Sequence, residues 1–361
     1  MASIARPDAA LATSPRPPAS PPPSALVANE RPKPSVLVHF AAGGFGGTVG
    51  AAVTCPLEVV KTRLQSSFYR ASEANITYRN PVHATWVHIK GVGSMLGTIR
   101  RQEGIRALWK GLGPNLVGVV PARAIYFATY SQGKHWYTQL NGGRETPIVH
   151  MFSAATAGTA VAACTNPIWL IKTRMQLQSE HPELKLTHRY KNSFECLTTV
   201  LREEGVRGLY KGLSASFLGL GESTLQFVTY EYLKKNIVQR RKEERHARRT
   251  AAEKLNPPLS SSAADWLDTF CAAACAKFGA AIITYPHEVL RTRLRQTPEN
   301  GVVKYKGLVQ SFKLIYAEEG VAALYGGMTA HLMRVVPNAA ILFFCYEMVV
   351  AAFTTPPSSS T

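Results

Sequence analysis

Pro56-Leu-Glu-Val-Val-Lys-Thr-Arg-Leu-Gln65 recurs twice downstream, as Pro167-Ile-Trp-Leu-Ile-Lys-Thr-Arg-Met-Gln176 and as Pro286-His-Glu-Val-Leu-Arg-Thr-Arg-Leu-Arg295. The three starts lie 111 and 119 residues apart. A second phrase follows each copy: Glu103-Gly-Ile-Arg-Ala-Leu-Trp-Lys-Gly111, Glu204-Gly-Val-Arg-Gly-Leu-Tyr-Lys-Gly212 and Glu319-Gly-Val-Ala-Ala-Leu-Tyr-Gly-Gly327. Two phrases in fixed order, three times over, are a tandem triplication, so the unit of folding is on the order of a hundred residues.

Working outward from the phrases, residues 36–55, 148–165 and 266–285 are apolar, rich in Ala and Gly, and run directly into each Pro. Residues 112–130, 213–230 and 328–350 are similar and follow each second phrase. Each of these six stretches has about the 20 residues that a helix needs to cross a bilayer. Gly43 with Gly47 and Gly46 with Gly50 place small residues at the helical spacing that lets membrane helices approach closely. A soluble helical repeat protein is the competing reading. It has no need of Pro in mid-helix, which costs about 3 kcal/mol in water and is tolerated in membrane bundles.

The hydrophobic fraction of 46% and mean hydropathy of −0.05 require the spans to alternate with strongly polar segments. The formal charge is +18, spread over all three repeats without any groove-reading motif, so nucleic-acid binding is not expected. Anionic lipid, an anionic solute, or both account for it better. The six cysteines show no metal-ligand spacing, and Cys271 with Cys275 read as small packing residues on one helix face. No Ser/His/Asp arrangement or Walker loop is present, so an enzyme is not expected, and no cofactor or metal is implied.

The expected organisation follows. Residues 1–34 form a Pro-rich disordered tail, whose three Arg and few acids also permit a transit-peptide reading. Repeat 1 spans 35–140 with a loop insertion at about 66–88. Repeat 2 spans 147–239, a charged linker spans 240–262, repeat 3 spans 263–353, and 354–361 is a second disordered tail.

Within the Pro phrase, an acid two residues and a base five residues after the Pro share a helix face. The Pro bends the helix, so three such helices can bring their charges to one point. The competing reading is an ordinary intrahelical pair worth a few tenths of a kcal/mol. Charged residues at a membrane helix end usually face the bundle interior.

Three copies of Pro-x-Glu-x-x-Lys/Arg-x-Arg, each followed by Glu-Gly and then an aromatic, a variable residue and Gly, resemble the mitochondrial carrier family over residues 36–350. The resemblance implies an all-α membrane protein: a six-transmembrane-helix, pseudo-threefold barrel in the inner mitochondrial membrane, with three short matrix helices. It further implies a monomer with both termini toward the intermembrane space and alternating access to one central site. It pairs Glu58 with Lys172 and Glu288 with Lys61 as a matrix gate, braced by Gln65 and Gln176. The third pair is missing because Trp169 stands opposite Arg291, and Arg295 takes the place of the third glutamine. On the other side the family places a cytoplasmic gate at Tyr130 with Lys134, at Tyr230, Glu231 and Lys234, and at Tyr346 with Glu347. Of these, only Glu347 with Lys134 retains both partners. Cardiolipin is an implied partner, at the helix N-termini near Gly111 and Gly212.

A symmetric scaffold becomes selective for an asymmetric solute where its repeats differ. Nine residues after Trp109, Tyr210 and Tyr325 come Gly118, Gly219 and Arg334; three further on come Pro121, Glu222 and Pro337. Nine residues before each phrase Pro come Gly47, Gly158 and Lys277. Arg334, Lys277 and Glu222 are therefore singleton charges in mid-membrane, functional by default. Arg offers a fork for phosphate oxygens and Lys a compact positive charge. The alternative is that both cations merely pair with Glu222 or backbone.

In the family these even-helix positions match substrate contacts, and Gly219-Leu220 with Arg334 resembles its nucleotide-carrying branch. Asn166-Pro-Ile-Trp169, Tyr285-Pro-His-Glu288 and Lys304-Tyr-Lys-Gly-Leu-Val-Gln-Ser-Phe312 are similar to the pyrimidine nucleotide carriers, the fungal type in particular. An NAD or FAD/folate carrier of the same family stays open, as does a proton-conducting carrier.

Overall fold

The computed structural model describes residues 36–68, 81–178, 190–247, 259–298 and 302–354. Repeat 1 comprises α1 (Val36–Gln65), α2 (Pro81–Gln102), a 3-10 turn (Ile105–Trp109) and α3 (Leu112–Leu140). Repeat 2 comprises α4 (Pro147–Leu177), α5 (Ser193–Glu203), the single turn α6 (Gly205–Leu209) and α7 (Leu213–Leu233). A π-turn (Lys234–Val238) carries α7 into α8 (Gln239–Ala247). Repeat 3 comprises α9 (Leu259–Thr284), α10 (Pro286–Arg295), α11 (Leu308–Glu319), a 3-10 turn (Val321–Tyr325) and α12 (Met328–Thr354). The long helices pack side by side around a ring, α1 on α12, α3 on α4, and α7 on α9.

Each phrase Pro sits where an odd-numbered span of the bundle turns inward. Pro56 and Pro167 lie inside α1 and α4, whereas Pro286 separates α9 from α10. A Pro leaves the carbonyl four residues back without its helical donor. For Pro56 that carbonyl belongs to Ala52, and the Trp109 indole Nε1 donates to it at 2.8 Å. Two residues before each Pro a threonine hydroxyl donates to the carbonyl one turn back: Thr54 to Gly50 (2.7 Å), Thr165 to Val161 (2.7 Å) and Thr284 to Ala280 (2.8 Å).

The two phrases recur together because they bind each other. The last Arg of the first phrase reaches the Glu of the second within each repeat: Arg63 to Glu103 (2.5 Å), Arg174 to Glu204 (2.6 Å) and Arg293 to Glu319 (2.8 Å). The same three guanidiniums donate through Nε to a carbonyl at the end of the neighbouring repeat's phrase: Gln176, Arg295 and Gln65 respectively, at 2.6–3.1 Å. These arginines are among the largest fully buried side chains, and an ion pair with a carboxylate plus carbonyl acceptors is what makes such burial tolerable. Around them each repeat builds its own small core. Val60, Ile171 and Leu290 occupy equivalent places, as do Leu108, Leu209 and Leu324.

The closing glycine of the second phrase has a positive φ, 82°, 80° and 74° at Gly111, Gly212 and Gly327. A Cβ there would also lie 2.7–3.2 Å from the Lys172, Arg291 or Lys61 carbonyl of the adjoining repeat. Glycine is thus required twice over, by conformation and by close approach.

Among the described residues, Pro147–Leu177, Leu267–Thr284 and Val321–Phe353 are long and apolar enough to cross a membrane by length and composition. The shortest remaining helix of the ring, α7, has 21 residues, about 31 Å at 1.5 Å per residue. All six long helices carry exposed large apolar side chains, for example Phe45, Val120, Phe152, Phe227, Ile283 and Phe343. Such a girdle suits lipid.

Two expected loops are partly helical. The insertion placed at about 66–88 enters α2 from Pro81, because Pro is well suited to the first helical position and no further Pro follows before Pro114. The linker placed at 240–262 is helical through Ala247 and again from Leu259. Its first part is dense in Arg, Lys and Glu, good helix formers, and Arg241 ties it to Asp268 of α9 at 3.2 Å. The tails expected at 1–34 and 354–361 lie outside the described residues except for Thr354, which belongs to α12, and so do the linker residues 248–258.

Candidate functional site: a central cavity closed at the kinked end

Where the kinked helices converge, the structure brings together Glu58 and Lys172, 2.6 Å apart, and ion-pairs Lys61 with Glu288. α1, α4 and α10 touch one another here and close that end of the bundle. Among the described residues no ion pair joins Arg291 to repeat 2. Arg291 turns to Glu288 of its own helix at 3.3 Å, and the Trp169 indole donates to Thr165 Oγ1 at 2.8 Å while Lys172 lies over its ring at 5.2 Å. The glutamines brace between repeats: Gln176 Oε1 accepts from Thr62 (2.9 Å) and Gln65 Oε1 from Thr292 (2.7 Å). Arg295, in the third place, donates instead to Asn166 Oδ1 at 2.7 Å.

Above this floor lies a cavity of about 460 Å³, within the usual range for small-molecule sites. Four cations (Lys61, Lys172, Arg291, Arg295) and three carboxylates (Glu58, Glu222, Glu288) line it. Trp169, Val161, Leu220, Gly219 and Tyr126 supply an apolar wall.

The expected substrate residues divide into three groups. Gly219, Leu220 and Glu222 line the cavity directly. Arg334 and Lys277 stand at its edge, each held by a carboxylate that lines it: Arg334 by Glu58 at 3.5 Å and Lys277 by Glu222 at 2.7 Å. Lys277 thus pairs with Glu222, as the alternative reading had it, whereas Arg334 engages the closed end. Gly118 departs from the expectation of an open platform. It is buried, and a Cβ there would meet Ile168 Cγ2 at 3.0 Å and the Trp169 ring at 3.4 Å. Its bareness admits the tryptophan, which already fills that space.

At the opposite end the expected partners stay apart. Lys134 pairs with Glu145 at 2.9 Å, and no ion pair joins it to Glu347 among the described residues. Glu145 sits in the short turn between α3 and α4, close in the chain to Lys134 near the end of α3. Lys234 sits 3.9 Å from Glu231 on its own helix, with its Nζ 5.6 Å from the Tyr230 ring centroid. Tyr130 and Tyr346 hydrogen-bond His150 (2.8 Å) and His39 (2.6 Å) instead of closing the opening.

Sequence reasoning missed a ring of second partners for the buried cations. Asn115 Oδ1 accepts from Lys172 (2.9 Å), Ser216 Oγ from Arg295 (3.2 Å), and His331 Nδ1 lies 2.9 Å from Lys61 Nζ. All three stand six residues after the aromatic of the second phrase and one turn before Gly118, Gly219 and Arg334. That shared offset was the available signal.

A threefold bundle of kinked helices, apolar outside and charged within, with one central cavity sealed at one end by ion pairs, defines a membrane solute translocator. The family model of the mitochondrial carrier protein matches residues 32–141, 143–241 and 262–356, one match per repeat, and the chain belongs to that family. Among its relatives, the mitochondrial pyrimidine nucleotide transporter RIM2 of Saccharomyces cerevisiae is 49% identical over 326 residues, covering 87% of this chain and 85% of the relative. The mitochondrial carrier protein rim2 of Schizosaccharomyces pombe is 48% identical, covering 89% and 91%. Solute carrier family 25 member 36 of Mus musculus is 43% identical, covering 87% and 96%.

Proposed function

We propose that this chain exchanges pyrimidine nucleotides across the inner mitochondrial membrane by alternating access, as a monomer. The observation that carries the reading is the cavity, in which cations on the floor and at the edge adjoin an apolar wall that includes Trp169, Val161 and Leu220. Such a site suits an anion with a flat aromatic part, and the printed name of the yeast relative supports a pyrimidine nucleotide.

In the conformation described, the closed end faces the matrix and the opening and both termini face the intermembrane space, an orientation taken from the family. An entering phosphate competes with Glu58 for Arg334 and with Glu222 for Lys277. Taking Arg334 removes one of the two cations that hold Glu58, so substrate binding weakens the gate directly. Its binding energy offsets the cost of parting two buried ion pairs. On the far side of the cycle, Lys134 leaves Glu145 for Glu347 as the splayed ends converge. The first N–H groups of α3 and α7, which no side chain caps, support the reading that cardiolipin binds at these two helix starts.

The test is uptake of labelled UTP into liposomes holding the purified protein, preloaded with UTP, ATP, NAD or no solute. Fast uptake against internal UTP is expected. Uptake of labelled NAD or FAD with none of UTP would move the assignment to a dinucleotide carrier.

A further inference from the structure

His287 presents to the cavity an acceptor that has no partner among the described residues. His287 follows the third phrase Pro, where the sister repeats carry Leu57 and Ile168, so a histidine is not needed to build the kink. The residue is 6% exposed and lines the cavity. Nδ1 lies 2.5 Å from the Thr284 carbonyl oxygen. A carbonyl only accepts, so the proton of the neutral ring sits on Nδ1 and Nε2 is a bare acceptor. Among the described residues no hydrogen bond reaches Nε2. It lies beside Gly219, where a Cβ would come within 2.8 Å of it. An acceptor that lines the cavity without a protein donor is free to take one from a ligand, and the hydrogen bond so formed is shielded from water once the ligand is bound.

The neighbours narrow what that donor is. Phosphates carry no N–H and are drawn to the cations. Gly219 lies beside Nε2, and Leu220, Val161 and Trp169 line the same cavity, apolar surface suited to a flat ring. We infer that His287 Nε2 reads the base, accepting a hydrogen bond from the edge that carries N3–H in uracil and thymine and the 4-amino group in cytosine. This rests on the nucleotide reading above and makes His287 a specificity-determining residue of that site.

The test uses 3-methyluridine 5′-triphosphate, which keeps the ring, ribose and phosphates of UTP but lacks the N3 donor. With wild-type protein in liposomes its KM is expected to exceed that of UTP about tenfold or more, the loss of one buried hydrogen bond. In His287→Leu, the residue type of the first repeat, the KM for UTP rises by a similar factor and the difference between the two nucleotides collapses. Should that variant misfold, His287→Phe replaces it. Equal handling of both nucleotides by the wild type would overturn the inference and point to a ribose hydroxyl as donor. Discrimination that persists without the histidine would also overturn it, showing that the methyl group is excluded by size alone. Absence of UTP exchange under every preload would instead overturn the nucleotide reading itself.

Discussion

Glu58→Gln removes the carboxylate that two cations share, Lys172 at 2.6 Å and Arg334 at 3.5 Å. The Glu58 and Lys172 side chains are only 14% and 12% exposed, so the lysine cannot simply turn to water. Breaking a buried pair by deleting one partner costs about 3–5 kcal/mol. Asn115 still accepts from Lys172 at 2.9 Å, which puts the expected loss toward the lower end, about 3 kcal/mol. At about 2–4 °C per kcal/mol for a chain of this order of size, the unfolding midpoint in detergent should fall by about 6–12 °C. Adding Lys172→Gln removes the stranded charge, so the double variant should be more stable than the sum of the single losses by about 1 kcal/mol or more. Full recovery is not expected because Arg334 remains. Midpoints measured on the four proteins decide the matter. A Glu58→Gln midpoint equal to wild type, or strict additivity of the two substitutions, would refute the reasoning that this pair holds the closed end.

Trp109→Phe deletes the donor to the Ala52 carbonyl left open by Pro56, and should cost about 1 kcal/mol, read as a slightly lower midpoint; an unchanged midpoint would mean water serves that carbonyl equally well. Glu103 and Glu204 are pushed upward by burial, but the hydrogen bonds and charges of Arg63 with Lys110 and of Arg174 with Lys211 outweigh it and hold both carboxyls below the usual range. Because their folded values are depressed, their stabilisation is present above the unfolded value of about 4.3 and is lost as pH falls through the folded value. The midpoint should therefore be steady on acidification to about pH 4.5 and then drop, with a shallower drop in Glu103→Gln/Glu204→Gln. The Cys196 thiol is pushed up to about 11 by burial, so maleimide at neutral pH should label it only after unfolding, as mass spectrometry of the modified peptides would show.

What the sequence disclosed and what it hid have a common cause. The triplication writes the same residues at three equivalent places, so the kinks and the convergence of their charges were legible, while the pairing of Glu58 with Lys172 and of Glu288 with Lys61 and the gap at Trp169 came from the family resemblance. The singleton charges were visible too, with Glu222 as one candidate partner, but which partner each takes was not. Whether Arg334 meets Glu58 or substrate, and whether Lys277 meets Glu222, depends on how far helices of different repeats tilt together, which no local spacing records. Gly118 and Gly219 looked alike in the sequence; the structure covers one with Trp169 and sets the His287 ring against the other. The helix α8 was hidden because a charged run reads as solvated whether or not it is helical.

The central claim is that Arg334 and Lys277 exchange their carboxylate partners for nucleotide phosphate. Its most direct test is UTP exchange in liposomes by Arg334→Ala and by Lys277→Ala, with folding checked by the unfolding midpoint. Each variant is expected to stay folded and lose exchange. Wild-type exchange by either folded variant would contradict the claim and remove that cation from the site.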